Sequence, residues 1–264
     1  MARHFKITFP IRLSDIDAGF HEGREKDATR DKTDKLCERI GELQQLLHAN
    51  ANHSVIILLQ GMDTSGKDGA ARKVLQHANP SGVETTYFKV PSADEAAHDY
   101  LWRIHKAVPR YGNLGVFNRS HYEDVLVARV MQLQPPKVWK ARYEQINTFE
   151  KHLACNRVIL LKFFLHISKE EQAERLRSRL QDPRKNWKIE PDDLEARERW
   201  NAYQAAYEDA INRCSTVYAP WHVVPADHKW YRDYVIAGVV VKALEGLKMK
   251  WPKPRSDLSK MVVV

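Results

Sequence analysis

Short apolar runs alternate with longer amphipathic stretches along this chain. Residues 55–59 (V-I-I-L-L), 83–90, 115–117, 157–167 and 221–224 read as strands, the fourth being the strongest apolar run. Between them, apolar residues recur every three or four positions. Leu36, Ile40, Leu43 and Leu47 predict a helix over 31–49, and further helices are predicted over 93–108, about 121–131, 136–155, 169–180, 193–213 and 228–247. Ser168 stands as the cap of the 169–180 helix, with Glu171 at the capping-box position. Strands alternating with helices predict an α/β fold with a mostly parallel sheet covered on both faces. In such a sheet ligands gather at the carboxyl ends of the strands. Residues 1–30 are irregular and charged and read as an arm lying on the surface or on a partner subunit. Residues 31–250 form the main domain, and 251–264 a tail.

The loop after the first strand changes this picture most. Residues 61–69 read G-M-D-T-S-G-K-D-G, with Gly61, Gly66 and Lys67 at the spacing G-x-x-x-x-G-K. A strand before and a helix after make this a phosphate cradle, in which loop N–H groups and the positive helix end face one anion. Gly61, Ser65, Gly66, Lys67, Asp68 and Gly69 are the candidate phosphate-binding residues, with Lys67 in a solvent-facing loop. Asp68 stands where a hydroxyl residue is usual, and Asp63 adds a second acid. Carboxylates beside a polyanion imply divalent cations, chiefly Mg²⁺ with Mn²⁺ as an alternative. Asp68 also has a plainer reading, as a cap on the following helix.

Three further clusters face the same crevice. Residues 117–124, F-N-R-S-H-Y-E-D, follow the third strand, where Arg119 offers a planar fork to phosphate. From 169 to 188, Arg175 and Arg179 share a helix face, and Arg184, Lys185 and Lys188 continue the charge, as a basic lid spanning about 169–195 would require. A solvated helix with Glu170, Glu171 and Glu174 as ion partners is the plainer reading there. Lys89, at the end of the second strand, is placed to meet an acceptor phosphate.

Composition narrows the field only slightly. The chain has 264 residues, 43% hydrophobic, and a net charge of +8. Its pI of 9.3 suits nucleic acid, an anionic membrane or a phosphorylated substrate, without choosing among them. Cys37, Cys155 and Cys214 are far apart and form no C-x-x-C, so neither a disulfide framework nor a zinc site is expected, and a reducing cytoplasm is. No segment approaches the ~20 apolar residues of a membrane span.

Together these segments resemble the family-2 polyphosphate kinases. The matching strings are G-M-D-T-S-G-K-D-G at 61–69, N-P-S-G-V at 79–83, F-K-V-P-S at 88–92, H-D-Y-L-W-R at 98–103, F-N-R-S-H-Y-E-D-V-L-V at 117–127, D-P-R-K-N-W-K at 182–188 and W-H-V-V-P-A-D-H-K at 221–229. The resemblance covers about 30–250 and implies a P-loop kinase-like three-layer α/β/α sandwich with a helical lid. It implies Mg²⁺-dependent, reversible transfer of the terminal phosphoryl group of inorganic polyphosphate to AMP or ADP, giving ADP or ATP. By the same resemblance Asp63 and Lys67 line the phosphate and metal site, with Asp63 as general base. Arg119 belongs to the second motif, Arg175, Arg179, Lys185 and Lys188 contact polyphosphate, and Lys89, Arg103 and Arg119 serve the nucleotide. Asn118 replaces the Asp of many members, so Glu123 supplies the missing metal-ligating charge. This variant matches the subgroup acting on both AMP and ADP. The family implies a homo-oligomer, dimer or tetramer, with no nucleic acid or membrane partner. The rivals are an ATP-dependent nucleoside monophosphate kinase of the thymidylate-kinase type and a non-catalytic nucleic-acid-binding protein.

Overall fold

The structure, a computed structural model, describes residues 6–189 and 191–254. Five strands, β1 (Ser54–Gln60), β2 (Val83–Tyr87), β3 (Leu114–Asn118), β4 (Val158–His166) and β5 (Trp221–Pro225), form one sheet in the order β2-β3-β1-β4-β5. Every neighbouring pair is parallel. β1 lies in the middle and is buried throughout. Its side chains split by the two-residue period: Ile56 and Leu58 enter one core, while Val55, Ile57 and Leu59 enter the other. The second core is closed by α1 (Lys26–Asn50), α2 (Lys67–Val74) and α10 (Lys229–Gly246), and the first by α5 (Glu123–Val130), α6 (Pro136–Cys155) and α9 (Trp200–Cys214). This is the expected three-layer α/β/α sandwich.

The remaining helices are α3 (Ala93–Ala96), α4 (Trp102–Lys106), α7 (Lys169–Gln181) and α8 (Pro191–Glu198). Several boundaries depart from the sequence reading, each with a local cause. Helix α1 starts five residues early because Glu25 caps it, accepting hydrogen bonds from the N–H groups of Asp27 and Ala28. The helix expected over 93–108 is two short ones. Asp99 turns its carboxylate onto the N–H of Leu101, 3.0 Å away, a local bond that competes with helix continuation. The long helix expected over 193–213 breaks at Arg199, and Trp200 enters the core. Ser168 caps α7 as expected, accepting from Glu171 N, but the Glu171 side chain pairs with Arg175 at 2.7 Å instead of closing the box.

Described residues of the N-terminal segment dock on the chain itself. Lys6 bridges His222 antiparallel at the β5 edge, and Ile7 N–H donates to Trp221 O at 2.8 Å. Asn212 bonds both N–H and C=O of Ile11. Further on, Ala18 O accepts from Asp227 N–H, so the segment reaches the loop that follows β5. Among the described residues no helix is long and apolar enough to cross a membrane.

Candidate active site

The loop joining β1 to α2 is shaped by backbone conformations that a standard side chain resists. Gly66, at φ +97°, forms the N-cap of α2, and a Cβ there would lie 2.0 Å from Arg232 Nη1. Only glycine meets both conditions. Helix α2 then begins at Lys67, so its first-turn N–H groups have no acceptor within the helix and face the loop mouth. Lys67 is not solvent-facing, as the sequence suggested. It is buried, and Nζ donates to the carbonyls of Gly61 (2.8 Å) and Met62 (3.3 Å). Burial lowers its pKa, against the pull of Asp63. An ammonium has three donors, so one remains for a ligand. Ser65 is fully buried, and among the described residues its hydroxyl has no partner.

Two buried arginines hold this loop from behind. Arg175, on α7, sends Nη1 to the carbonyls of Thr64 (3.0 Å) and Ser65 (3.2 Å). Its Nη2 goes to those of Ala226 (2.7 Å) and Asp227 (2.8 Å), and Nε to Glu171. All five donors are therefore engaged within the protein, and Arg175, expected at the polyphosphate, clamps the phosphate loop to the loop after β5. Arg232, on α10, was missed by sequence reasoning. It is 2% exposed, donates from Nε and Nη2 to Asp233 Oδ1 (2.8 and 2.7 Å), and lies over Gly66. Its signal was available, since it sits one turn past Lys229 in the helix after β5, at the carboxyl end of the sheet.

Across the mouth, Arg119 closes a charge cluster. At φ +62° it turns out of β3, donates from Nη2 to Asp63 Oδ1 at 2.8 Å, and sets Nη1 3.8 Å from Glu123 Oε2. Burial pushes the Asp63 carboxyl up, but Lys67 and then Arg119 outweigh it and hold it below the usual Asp range. Glu123 goes the other way: burial raises it despite Arg119 and Lys67. Two departures from the usual loop chemistry turn out to be one contact, for Asn118 Nδ2 donates to Asp68 Oδ1. Asp68 makes no helix cap. A carboxylate at 118 would meet Asp68 with like charge, whereas the amide supplies a proton.

The other expected residues are dispersed. Arg179 is a quarter exposed, bonds Lys188 O at 3.3 Å, lies 3.8 Å from Asp193, and its charge reaches Asp63. Lys185 pairs with Asp182 at 2.9 Å, and Lys188 sits over the Trp187 ring at 5.0 Å; both are exposed on the turn beyond α7. Arg103, expected at the nucleotide, is 7% exposed. It donates to Lys89 O at 2.8 Å and faces Glu95 (3.6 Å) and Asp124 (3.7 Å), so it braces the strand end that carries the exposed Lys89. Beside the phosphate loop, between α2 and α10, a cavity of about 450 Å³ is lined by Gly69, Arg72, Lys73, Lys229, Arg232 and Asp233 among others. Four cations there face one acid.

Asp63 and Glu123 provide hard carboxylate oxygens at the mouth, and among the described residues no cluster of three metal-binding side chains accompanies them. That donor set fits a divalent ion taking one or two carboxylates and completing its shell with phosphate oxygens and water. The arrangement can bind a phosphorylated ligand in the loop, neutralise charge from both sides, and align a second phosphate.

The family model of Polyphosphate kinase 2 matches residues 23–252. An AMP/ADP-polyphosphate phosphotransferase of Meiothermus ruber is 49% identical over 252 residues, covering 96% of this chain and 94% of the relative. An ADP-polyphosphate phosphotransferase of Rhodopseudomonas palustris is 43% identical over 228 residues, covering 82% and 79%. The crystal structure of Polyphosphate Kinase 2 from Arthrobacter aurescens superposes with a TM-score of 0.94 at 39% identity, covering 97% of this chain and 92% of that one.

Proposed function

The chain belongs to the polyphosphate kinase 2 family, and from that premise we propose that it transfers the terminal phosphoryl group of inorganic polyphosphate to AMP and ADP, reversibly. The observation that carries this reading is the likeness to an AMP/ADP-polyphosphate phosphotransferase along nearly the whole chain. The site geometry supports it, because each part of a phosphoryl-transfer centre has an owner here.

The donor end of the polyphosphate sits in the loop 61–66, on the first-turn N–H groups of α2 and the remaining donor of Lys67. Arg119 and Arg179 face it from the opposite side and stabilise the charge that spreads over the transferring group. Upstream phosphates run into the basic cavity past Arg72, Lys229 and Arg232. Polyphosphate carries one charge per unit and no sequence, so a row of cations suffices to hold it. The acceptor nucleotide enters on the Lys89 side. Its phosphate oxygen is already anionic near neutral pH, the second pKa of a phosphate monoester being ≈ 6, so no general base is required. Asp63 is moreover a weak base, being held ionised beside Lys67 and Arg119. Its role is to orient Arg119 and, with Glu123, to hold a divalent ion: Mg²⁺, with Mn²⁺ as the alternative. When bound, that ion neutralises phosphate charge between donor and acceptor.

We assign the protein to a reducing cytoplasm, in keeping with free Cys37, Cys155 and Cys214. A homo-oligomer, dimer or tetramer, is the proposed assembly. Exposed Phe9 and Val217 each lie two residues from the contact of Ser215 Oγ with Ile7 O and offer apolar surface to it.

The deciding assay mixes ADP, polyphosphate and Mg²⁺ and follows ATP by luminescence, with a chelator control. ATP should accumulate only with polyphosphate and metal present. No product, or ATP-to-AMP transfer indifferent to polyphosphate, would replace this reading with an ordinary nucleoside monophosphate kinase.

A further inference from the structure

Strand β4 reads V-I-L-L-K-F-F-L-H, and one position breaks its apolar logic. The two-residue period sends Val158, Leu160 and Phe164 into the core under α5, α6 and α9, and Lys162 must follow them. Lys162 is 0% exposed, in the middle of the sheet, paired with Leu58 on β1 and Trp221 on β5. Its partner Glu150, on α6, is equally buried.

Each donor and acceptor of this pair is used. Lys162 Nζ reaches Glu150 Oε2 at 2.6 Å, Cys214 O at 2.7 Å and Tyr122 OH at 2.9 Å, three acceptors for three N–H groups. Glu150 Oε1 accepts from Tyr122 OH at 2.9 Å, and His121 Nε2 lies 3.2 Å from the same oxygen. Burial raises the Glu150 carboxyl, but Lys162 and then His121 outweigh it, so the group is held ionised. Stability alone does not account for such a pair, because well-packed apolar residues in its place are often as stable or more so.

What the pair touches suggests its use. His121 and Tyr122 are the residues next to Glu123, and with Ser120 they separate it from Arg119. The same turn is tied to the end of β1, where Ser120 Oγ accepts from Gln60 Nε2 (3.1 Å) and from Tyr122 N–H (3.2 Å). The turn contains a non-glycine residue at positive φ, Arg119, a conformation that persists only where its surroundings over-determine it. We infer that Glu150 and Lys162 are positioning residues for phosphoryl transfer: by gripping His121 and Tyr122 from within the core, they fix the turn that aims Arg119 at Asp63 and sets Glu123 beside it. Neither touches substrate. The inference rests on the phosphotransferase reading of the site.

Two variants test it. Tyr122→Phe removes one hydroxyl, keeps the ring against Trp221, and leaves the Lys162–Glu150 pair and its bond to Cys214 in place. Lys162→Met with Glu150→Gln removes both buried charges together. For each, kcat and KM for polyphosphate and for ADP are measured below the onset of thermal unfolding. Misaimed groups should lower kcat on the order of 10- to 100-fold in both variants, with KM for ADP changed less than about twofold, because Lys89 and its support are untouched. A purely structural role would lower the melting temperature and leave kcat per folded molecule unchanged, and that outcome overturns the inference. If the double variant does not fold, Tyr122→Phe decides alone. Active wild type with an unimpaired Tyr122→Phe overturns this inference only, whereas wild type that transfers nothing from polyphosphate overturns it together with the assigned reaction.

Discussion

Replacing Arg175 with Met separates two roles that its position on α7 leaves open, a clamp on the loop and a contact to phosphate. As a clamp, Arg175 is 8% exposed and bonds four backbone carbonyls, two in the phosphate loop and two after β5. Methionine fills similar space and donates nothing. The four lost bonds to carbonyls, at about 1 kcal/mol net each, give ~4 kcal/mol, and the fifth, from Nε to the part-exposed Glu171, adds little. The sum falls to about 2–3 kcal/mol because a charge no longer has to be stripped of water. For a chain of this size each kcal/mol moves the melting temperature by about 2–4 °C, so a drop of roughly 4–12 °C is expected. The loosened loop should also bind phosphate less well, with KM for polyphosphate raised roughly fivefold, the equivalent of about 1 kcal/mol. Arg175→Lys should not restore either value, since one ammonium cannot span carbonyls that a planar fork reaches. Calorimetry with ATP-forming kinetics checks both numbers. A melting temperature within about 1 °C of wild type, alongside a large loss of polyphosphate affinity, would mean that Arg175 points at the ligand and that the clamp is wrong.

Two further outcomes follow from the same geometry. Gly66→Ala places a Cβ on the Arg232 guanidinium at a backbone angle alanine resists, so transfer should be lost and stability should fall by about 1–3 kcal/mol in urea unfolding; near-wild-type turnover would refute the cradle geometry. Lys229→Gln combined with Arg72→Gln should raise KM for long polyphosphate several-fold and leave tri- and tetraphosphate use unchanged, read from a chain-length series. An equal effect at every length would remove the cavity between α2 and α10 from the substrate path.

The phosphate loop was legible because everything it needs is contiguous: an apolar strand, glycines at fixed spacing, a lysine and a helix within residues 55–75. The parallel sandwich was legible for a related reason, since alternating strand and helix periods leave few ways to bury both faces of a sheet. Side-chain assignments at the site fared differently according to how far each contact reaches along the chain. Helical periodicity put Arg175 and Arg179 on one face. It could not show that the first would meet carbonyls 111 and 51 residues away while the second turned to Lys188 O and Asp193. Arg103 was expected at the nucleotide, and only its contacts with Lys89 O, Glu95 and Asp124 turned it into a brace. Asp68 and Asn118 looked like separate departures until fifty residues of chain folded back and paired them.

Local sequence thus determined which elements form and where an anion is well solvated, because strand and helix periods, helix caps and loop N–H groups are settled among near neighbours. Tertiary structure alone decided which charges are spent inside the protein and which remain for the substrate. Desolvation makes buried cations find acceptors, and for Arg175 and Lys162 those acceptors include carbonyls of distant segments that the fold brings close.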